Sequence, residues 1–428
     1  MTPAAAAMLW FWQGWLAAIV FVFPMPHTVA LRNLLLLAGL LALLATWRAA
    51  PRPTLLPALK SAAWGLLATT AWLVLHSLAI APAPPVALEN LRGDWLLPVL
   101  TAVLAAFAAA RTGARPALRA TVAALLAHMV WMLGWQVWQW FAMGASATWP
   151  AGSVPFGGRD FQSSLNVFLL AILLADRLAV LSVGPPAALF PAGPVWAALG
   201  IALVADAALR VRNGTVVGVV LFLAATVWLA RQRSRSKLLL LAVAALLGAS
   251  FALEPRWSGL IESLAVGWNS PSLYWLSEDP TVRPLTPSGG QIEESAYARA
   301  AWAHQAVRGI AEHPLGLGFG RDGFGRVIAE RYGFRGMVSS HSGWLDFALG
   351  VGLPGLGLLL ITATLAIRGG WRHFREHDDS VGLMFCFLVG GYLLRCLLDG
   401  HLSGWRLGLF AFICGVLIGN MREKRAVT

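Results

Sequence analysis

The sequence predicts an all-α, polytopic membrane protein with about 12 transmembrane helices and one large loop that itself contains helices. Three observations predict this class. Hydrophobic residues make up 58% of the chain and charged residues only 12%, whereas about a quarter of the residues in a soluble globular domain are charged. Apolar runs long enough to cross a bilayer recur along the chain. Only one stretch between such runs is long and polar, from Glu254 to Ser340.

With about 20 apolar residues for each span, the sequence predicts twelve helices, near 8–24, 28–47, 58–81, 94–110, 117–142, 162–181, 190–209, 214–230, 237–253, 341–367, 380–398 and 402–421. The first run lacks a preceding basic region and is followed closely by others, so we interpret it as a retained span rather than a cleaved signal peptide. The predicted domains are residues 1–253 with nine helices, the loop at 254–340, and residues 341–428 with three helices and a tail.

The basic residues predict the orientation. A formal charge of +12 would be compatible with nucleic-acid binding, but the charges fall in short loops between apolar runs, which is typical of membrane topology. We therefore expect no nucleic-acid partner. Four basic clusters share one side if both termini lie inside, and the positive-inside rule makes that side cytoplasmic; they contain Arg48, Arg52 and Lys60, then Arg111, Arg115 and Arg119, then Arg231, Arg233, Arg235 and Lys237, and finally Arg422, Lys424 and Arg425.

On this topology the long loop lies outside the cytoplasm. Its charges nearly balance, with eight Arg and nine acidic residues. Loops of this length in compact proteins are usually functional or disordered. Ala300, Ala303, Val307 and Ile310 recur at helical spacing, and Pro314 ends the run. We therefore expect a helix between Glu293 and Pro314 that lies over the outer mouth of the membrane domain.

His341 lies where the long loop meets the next apolar run, in the sequence S-S-H-S-G-W-L-D-F. Ser339 and Ser340 can cap a helix start, which would place His341 in the first helical turn at the membrane surface. The positive end of the helix dipole disfavours imidazolium, so the ring should tend towards neutral, as a proton acceptor requires. The alternative is a polar residue that only marks the membrane interface.

Several cations share the predicted outer side with His341, and charged groups at membrane depth are usually functional or paired. Arginine binds phosphate through a planar fork of donors, whereas all three lysines fall on the predicted inner side. An anionic ligand is one interpretation, and local pairing of Arg159 with Asp160 and of Arg395 with Asp399 is the other. The outer set comprises Arg159, Asp160, Arg210, Arg212, Arg299, Arg395, Asp399, His401 and Arg406, and Arg321 of the loop is a further candidate.

Two apparent motifs favour structural explanations. Gly318 to Gly323 matches G-x-G-x-x-G, but no strand precedes it, so we expect a glycine-rich turn rather than a dinucleotide site. His373 and His377 have the spacing of metal ligands on a helix, yet they lie in a run of solvated charges. We predict no metal site and no cofactor. The cysteines, Cys386, Cys396 and Cys414, have no metal-site spacing and are expected to be buried apolar residues.

Taken together, these segments resemble the O-antigen ligase and polymerase superfamily. The run H-S-G-W-L-D-F-A-L-G-V-G-L-P-G-L from His341 is similar to the family signature. Arg299, Trp302 and H-P-L-G-L-G at His313–Gly318 resemble its loop segment, and Arg212-Asn-Gly its arginine-glycine element. The sequence differs from the family pattern at Gly350, where an acidic residue is common, and at Ser342, where Asn is frequent. Either Arg210 or Arg212 can be the matching arginine.

The resemblance implies a glycosyltransferase of the GT-C-like architecture in the bacterial inner membrane, with both termini cytoplasmic and the loop periplasmic. Such ligases transfer a glycan from undecaprenyl diphosphate to a lipid A–core sugar hydroxyl. By analogy, His341 would be the general base, and Arg212 and Arg299 would bind the diphosphate, with Arg210, Arg159 and Arg321 as further candidates. The implied partners are the lipid-linked glycan, the lipid A–core acceptor and membrane lipid. No metal is required if arginines supply the positive charge.

Three alternatives stay open. O-antigen polymerases tend to have two large periplasmic loops, and protein O-oligosaccharyltransferases an extra C-terminal region, whereas this sequence has one large loop and ends soon after Met421. A transporter or lipid flippase would favour spans broken at the midplane and inverted repeats, and we find no evident repeat. The sequence therefore favours a ligase.

Overall fold

The structure is a computed structural model that describes residues 3–47, 56–143, 158–230, 245, 259–269, 273–277, 280–320 and 322–421. Within these ranges the chain is nearly all helical and contains no β-strand. The predicted all-α class is therefore confirmed. Apart from Ala245, the predicted helix at 237–253 lies outside the described residues, as do most of the basic residues that predict the orientation.

The helices fall into three groups along the chain. The first group is α1 (Pro3–Val22), α2 (Val29–Ala45), α3 (Lys60–Ala79), α4 (Pro84–Leu91), α5 (Leu97–Thr112), α6 (Ala114–Met143), α7 (Arg159–Val183), α8 (Ala192–Leu209) and α9 (Arg212–Ala230). The second is α10 (Leu260–Asn269), α11 (Tyr274–Ser277), α12 (Glu294–Glu312) and α13 (Gly323–Tyr332). The third is α14 (Gly343–His377), α15 (Ser380–Leu398) and α16 (Gly404–Asn420).

Among the described residues, eight helices are long and apolar enough to cross a membrane, and three shorter apolar helices accompany them, at Ala6–Val22, Val29–Ala45 and Gly404–Asn420. The chain is therefore a multi-pass membrane protein. Each predicted span within the described residues is helical, but the count of twelve is not confirmed, because length and composition select eight. The predicted helix 341–367 extends instead over Gly343–His377, since the charged run after Ile367 continues the helix.

Glycines let the membrane helices approach one another closely. A side chain at Gly415 of α16 would lie 2.0 Å from the carbonyl oxygen of Ala102 on α5, and one at Gly419 would lie 2.2 Å from that of Ala106. This small-residue face brings the two backbones into contact, as in many membrane helix pairs. α7 lies in the centre of the bundle, where it packs against α6, α8, α9 and α15.

The segment between α9 and α14 has a hydrophobic core of its own. Tyr274, Tyr297, Phe324 and Ile328 are buried there together with Leu349 from α14. The helix predicted between Glu293 and Pro314 is present as α12. Its buried face differs in part from the predicted one, because Val307 is 43% exposed while neighbouring residues pack inward.

Backbone hydrogen bonds between the turn at 314–318 and residues 349–353 of α14 fix this core to α14. The N–H groups of Leu317 and Gly318 donate to the carbonyl oxygens of Leu349 and Gly350, at 2.8 and 2.9 Å, and Leu353 donates back to Pro314 at 2.9 Å. The pairing interrupts α14 at Gly352, whose φ is 76°, before Pro354. Glycine accepts this left-handed backbone without strain. The turn after α12 and the start of α14 are thus held as one unit.

Candidate active site

His341 lies in the loop immediately before α14. Its φ is 59°, a left-handed conformation that cannot continue a helix, and α14 begins only at Gly343. The predicted position in the first helical turn is therefore wrong. The serine hydroxyls accept instead from N–H groups two residues on, Ser339 from His341 at 3.0 Å and Ser340 from Ser342 at 3.3 Å, which is the pattern of a serine turn.

One face of the His341 imidazole ring stacks on Trp302 of α12. The ring centroids are 4.7 Å apart and the planes differ by 20°, while the residue itself stays exposed on another side. Burial lowers the pKa of His341 below its usual value, and the nearby positive charge of Arg299 lowers it further. The ring is therefore neutral near pH 7, as expected, but its surroundings, not a helix dipole, account for this.

Arg299, also on α12, contacts the end of α15. Its Nη1 donates to the carbonyl oxygen of Leu398 at 3.0 Å, and its Nη2 lies 3.7 Å from Oδ1 of Asp399. The guanidinium is about one third exposed. Arg299 thus lies close enough to His341 to influence its pKa and keeps part of its surface accessible.

Asp399 connects residues from three different parts of the chain. Its Oδ2 lies 2.8 Å from Nη2 of Arg395 in an ion pair, its Oδ1 accepts from the side-chain amide of Asn213 at 3.0 Å, and His401 lies 3.9 Å away. The carboxylate is almost fully buried, so its charge is compensated by these donors together with Arg299. The pairing of Arg395 with Asp399 that the sequence suggested is present, whereas Asn213 was not predicted to take part.

Arg212 forms an ion pair with Glu293, the residue that caps α12 by accepting from the Ala296 N–H. Asp206 lies only six residues before Arg212 in the sequence. Asp206 instead accepts from Thr215 at 2.7 Å. The partner of Arg212 lies 81 residues further along the chain, at the start of α12.

The remaining candidates differ in position. Arg210 is an exposed residue that ends α8 with a φ of 50°. Arg159 is half-buried at the start of α7, beside Asp160, whose Oδ1 lies 4.0 Å from Arg395. Arg321 lies outside the described residues. His401 is buried, and burial together with Arg406 and Arg395 lowers its pKa well below the usual value.

A polar cavity of about 240 Å³ opens beside the His341 loop. Ser339 and Gly343, which flank His341, form part of its wall. Its other polar walls come from α14, α16 and the short π-helical turn Arg92–Leu96. The charged and polar lining residues there, with one tryptophan, include Asp94, Asp346, Ser403, Trp405 and Arg406. Sequence analysis did not single out Asp94, and it assigned no role to Asp346, which belongs to the run that begins at His341 and lies 252 residues from Asp94.

The two motifs interpreted as structural have clear roles. Gly318 belongs to the turn that pairs with Gly350, and the described part of the chain has no strand before it. His373 contacts Asp379 at 2.9 Å, and His377 contacts the backbone oxygen of His373 at 3.2 Å. His373 therefore has a partner in the turn between α14 and α15, and His377 has one within α14.

The site thus combines a neutral imidazole with fixed guanidinium groups. Comparison with known proteins agrees with the resemblance found in the sequence. The family model described as O-antigen ligase matches residues 197–360. This range contains Arg210, Arg212, Arg299 and His341 and leaves Arg159 outside. No curated protein matches the chain.

Proposed function

We propose that this protein, whose residues 197–360 match the family model described as O-antigen ligase, transfers a glycan from undecaprenyl diphosphate to a sugar hydroxyl of lipid A–core. The reaction would take place at the periplasmic face of the bacterial inner membrane, in lipopolysaccharide biosynthesis, with both termini cytoplasmic. The family match supports glycosyl transfer in general. The particular substrates, the side of the membrane and the residue roles are our proposal.

The proposed reaction is a single displacement. A nitrogen of neutral His341 takes the proton from the acceptor hydroxyl, and the hydroxyl oxygen forms a bond to the anomeric carbon of the donor glycan. The bond between that carbon and the diphosphate oxygen breaks, and the electron pair leaves with undecaprenyl diphosphate. Arg212 and Arg299 stabilise the charge that grows on the leaving group. Since these arginines supply the positive charge, the proposal requires neither a metal ion nor another cofactor.

The observation that best supports this proposal is that the His341 ring, whose pKa is lowered, lies near the positive charge of Arg299. A general base must be unprotonated, and a leaving diphosphate needs cations within reach. The structure supports both points of the proposal, because the positive charge of Arg299 lowers the pKa of His341 and part of the Arg299 side chain is exposed. The same guanidinium therefore supports both the base and the leaving group in this proposal.

The ion pair between Arg212 and Glu293 brings a second guanidinium to the start of α12, the helix that carries Arg299. Arg212 opens α9, and its neighbour Asn213 donates to Asp399, which also lies near Arg299. Asp399 therefore contacts Arg299 directly and Asn213, the residue next to Arg212, through a hydrogen bond. Two cations held in this way suit the two phosphates of a diphosphate.

An apolar cavity of about 370 Å³ supports a lipid-linked substrate. It lies between α3, α5, α14, α15 and α16, and its walls are almost entirely apolar. Leu402 forms part of both this cavity and the polar cavity beside His341. A hydrocarbon chain in the apolar cavity would therefore lead towards the polar region.

The test is an assay of the purified full-length protein with lipid-linked glycan and lipid A–core, in the presence of a chelator. We expect the wild type to make lipopolysaccharide and His341→Ala to make none. His27→Ala is a matched control, because His27 is also exposed and also has a left-handed φ, of 60°. An active His341→Ala would contradict the role of the base. Loss of activity in chelator, with restoration by a divalent metal, would contradict metal independence.

The same assay separates the alternatives. Elongation of the donor glycan on its own lipid carrier would indicate a polymerase, and transfer to an added protein acceptor would indicate an oligosaccharyltransferase. If active donor and acceptor give no product with wild-type protein, transport becomes the better explanation. Movement of the lipid-linked glycan across a vesicle membrane would then be the measurement to make.

A further inference from the structure

The polar cavity beside the His341 loop has walls that suit a sugar rather than a diphosphate. Its charged lining residues are the two carboxylates Asp94 and Asp346 and the one guanidinium of Arg406, which give a formal charge of minus one. Arg212 and Arg299 do not line it. Carboxylates repel a diphosphate but accept strong hydrogen bonds from hydroxyl groups.

Serine hydroxyls and aromatic rings complete this lining. Ser339 and Ser403 add groups that both donate and accept hydrogen bonds. Trp405, Phe319 and Phe347 contribute ring surface against which the C–H face of a sugar can pack. At about 240 Å³, the cavity has room for far more than one water molecule, whose share of liquid volume is about 30 Å³.

The cavity wall at Asp94 departs from regular helix. Residues Arg92–Leu96 form a π-helical turn, in which the Leu97 N–H bonds to the Arg92 carbonyl. Pro98, which has no N–H, follows at once and cannot donate to the carbonyl of Asp94. Single π-helical turns of this kind occur frequently at functional sites. Here Oδ1 of Asp94 accepts from the N–H of Gly404, the first residue of α16, at 2.9 Å.

The cavity also adjoins the proposed base. Ser339 and Gly343 lie on either side of His341 in the sequence and both line the cavity. Asp346 holds this loop in place, because its Oδ1 accepts from the Ser340 N–H at 2.8 Å. A sugar in the cavity would therefore lie next to His341, which we propose takes the proton from the acceptor hydroxyl.

We propose that this cavity, lined by Asp94, Asp346, Ser403, Trp405 and Arg406, binds a sugar ring of one of the two glycan substrates. The inference rests on the proposed function for the identity of those glycans. The ring belongs either to the acceptor core oligosaccharide or to the donor glycan, and the same hydrogen-bonding chemistry serves both.

The test measures binding of lipid-free glycans to the full-length protein in detergent, by saturation-transfer NMR. The probes are the delipidated core oligosaccharide and the free donor glycan. Ser403→Leu fills the cavity without removing a helix cap, because the Ser403 side chain makes no capping hydrogen bond. We expect this variant to raise the Kd of one glycan at least about tenfold, as expected for the loss of one or two polar contacts together with steric exclusion.

Two further variants make the result decisive. Asp94→Asn keeps an oxygen for the Gly404 N–H but loses the charge, so it should weaken binding of the same glycan while the protein stays folded. Ser61→Leu, a serine exposed on α3, should bind as the wild type does. Weaker binding of the core oligosaccharide by these variants would assign the cavity to the acceptor. Weaker binding of the donor glycan would assign it to the donor.

Binding of neither glycan by wild-type protein would overturn the inference, as would unchanged Kd values in both Ser403→Leu and Asp94→Asn. Failure of the proposed function has a different signature. In that case glycan binding still depends on Ser403 and Asp94, but the lipid-linked substrates give no product.

Discussion

The imidazole ring of His341 and the indole ring of Trp302 stack with their centroids 4.7 Å apart. Trp302 belongs to α12 and His341 to the loop before α14, so the stack joins the segment between α9 and α14 to the membrane domain at the candidate base. Burial is the largest cause of the lowered pKa of His341, and the indole ring contributes to that burial. Trp302 thus influences both the position of the imidazole ring and its protonation.

We expect Trp302→Ala to reduce kcat by about tenfold and to raise the pKa of His341 towards its usual value, because the ring gains water. The acid limb of the pH–activity profile would then move to higher pH. Trp302→Phe keeps an aromatic face and should change both quantities less. The measurement is kcat as a function of pH for the three proteins. An unshifted acid limb in Trp302→Ala would show that the indole does not control protonation.

Arg299→Gln should move the same acid limb to higher pH. The proposed base acts in its neutral form, and the positive charge of Arg299 lowers the pKa of His341, so we expect wild-type activity to persist to lower pH. Without that charge, His341 is protonated at higher pH and activity is lost earlier on acidification. Arg299→Lys retains the charge and should retain the pH profile, although the loss of the bidentate fork should lower kcat. Identical acid limbs in wild type and Arg299→Gln would contradict the coupling.

Glycine at position 341 should stabilise the fold relative to alanine. The φ of 59° at this residue is unfavourable for any residue with a Cβ, whereas glycine adopts it freely. Both variants lack the base and should be inactive. We expect His341→Gly to be more stable than His341→Ala by up to about 1 kcal/mol, measured as thermal unfolding in detergent. Lower stability of the glycine variant would indicate that His341 adopts another backbone conformation.

Gly316→Ala should detach the turn after α12 from α14. Gly316 has a φ of 89°, and an added Cβ would lie 2.5 Å from the backbone nitrogen of Gly352. Backbone strain alone costs about 1–3 kcal/mol, and the clash adds to it. Thermal unfolding and limited proteolysis should both report the change. Gly357→Ala is the matched control, because no atom lies within 4 Å of its added Cβ, and it should leave stability unchanged or slightly raised.

The sequence predicted the helices well because each depends on a local property, a run of apolar residues of membrane length. It predicted α12 from another local property, the helical spacing of Ala300, Ala303, Val307 and Ile310. The start of α14 was misplaced, because the serines before it are equally suited to capping a helix and to bonding within a turn. Only the left-handed backbone of His341 distinguishes these outcomes, and that conformation depends on contacts such as the bond from Ser340 to Asp346.

The candidate site was harder to predict because its contacts join distant parts of the chain. Arg212 and Glu293 are 81 residues apart, so no local spacing indicates that they pair. The pair Arg395 and Asp399 was accessible to sequence analysis because it has helical i, i+4 spacing. Asp94 and Asp346 meet at the polar cavity only through the packing of α14 and α16 against the π-helical turn, which no local pattern encodes.

The contact between Arg299 and Asp399 has a consequence for turnover. At 3.7 Å, the carboxylate lies beyond ordinary hydrogen-bonding distance from the guanidinium, so in the proposed reaction a diphosphate would approach Arg299 without first breaking a tight chelate. When the lipid diphosphate departs, Asp399 would already be in place as the replacement counter-ion. Product release would then exchange one anion for another without exposing a bare cation beside the membrane. A carboxylate that takes no part in bond formation would in this way set how quickly the enzyme becomes ready for its next substrate.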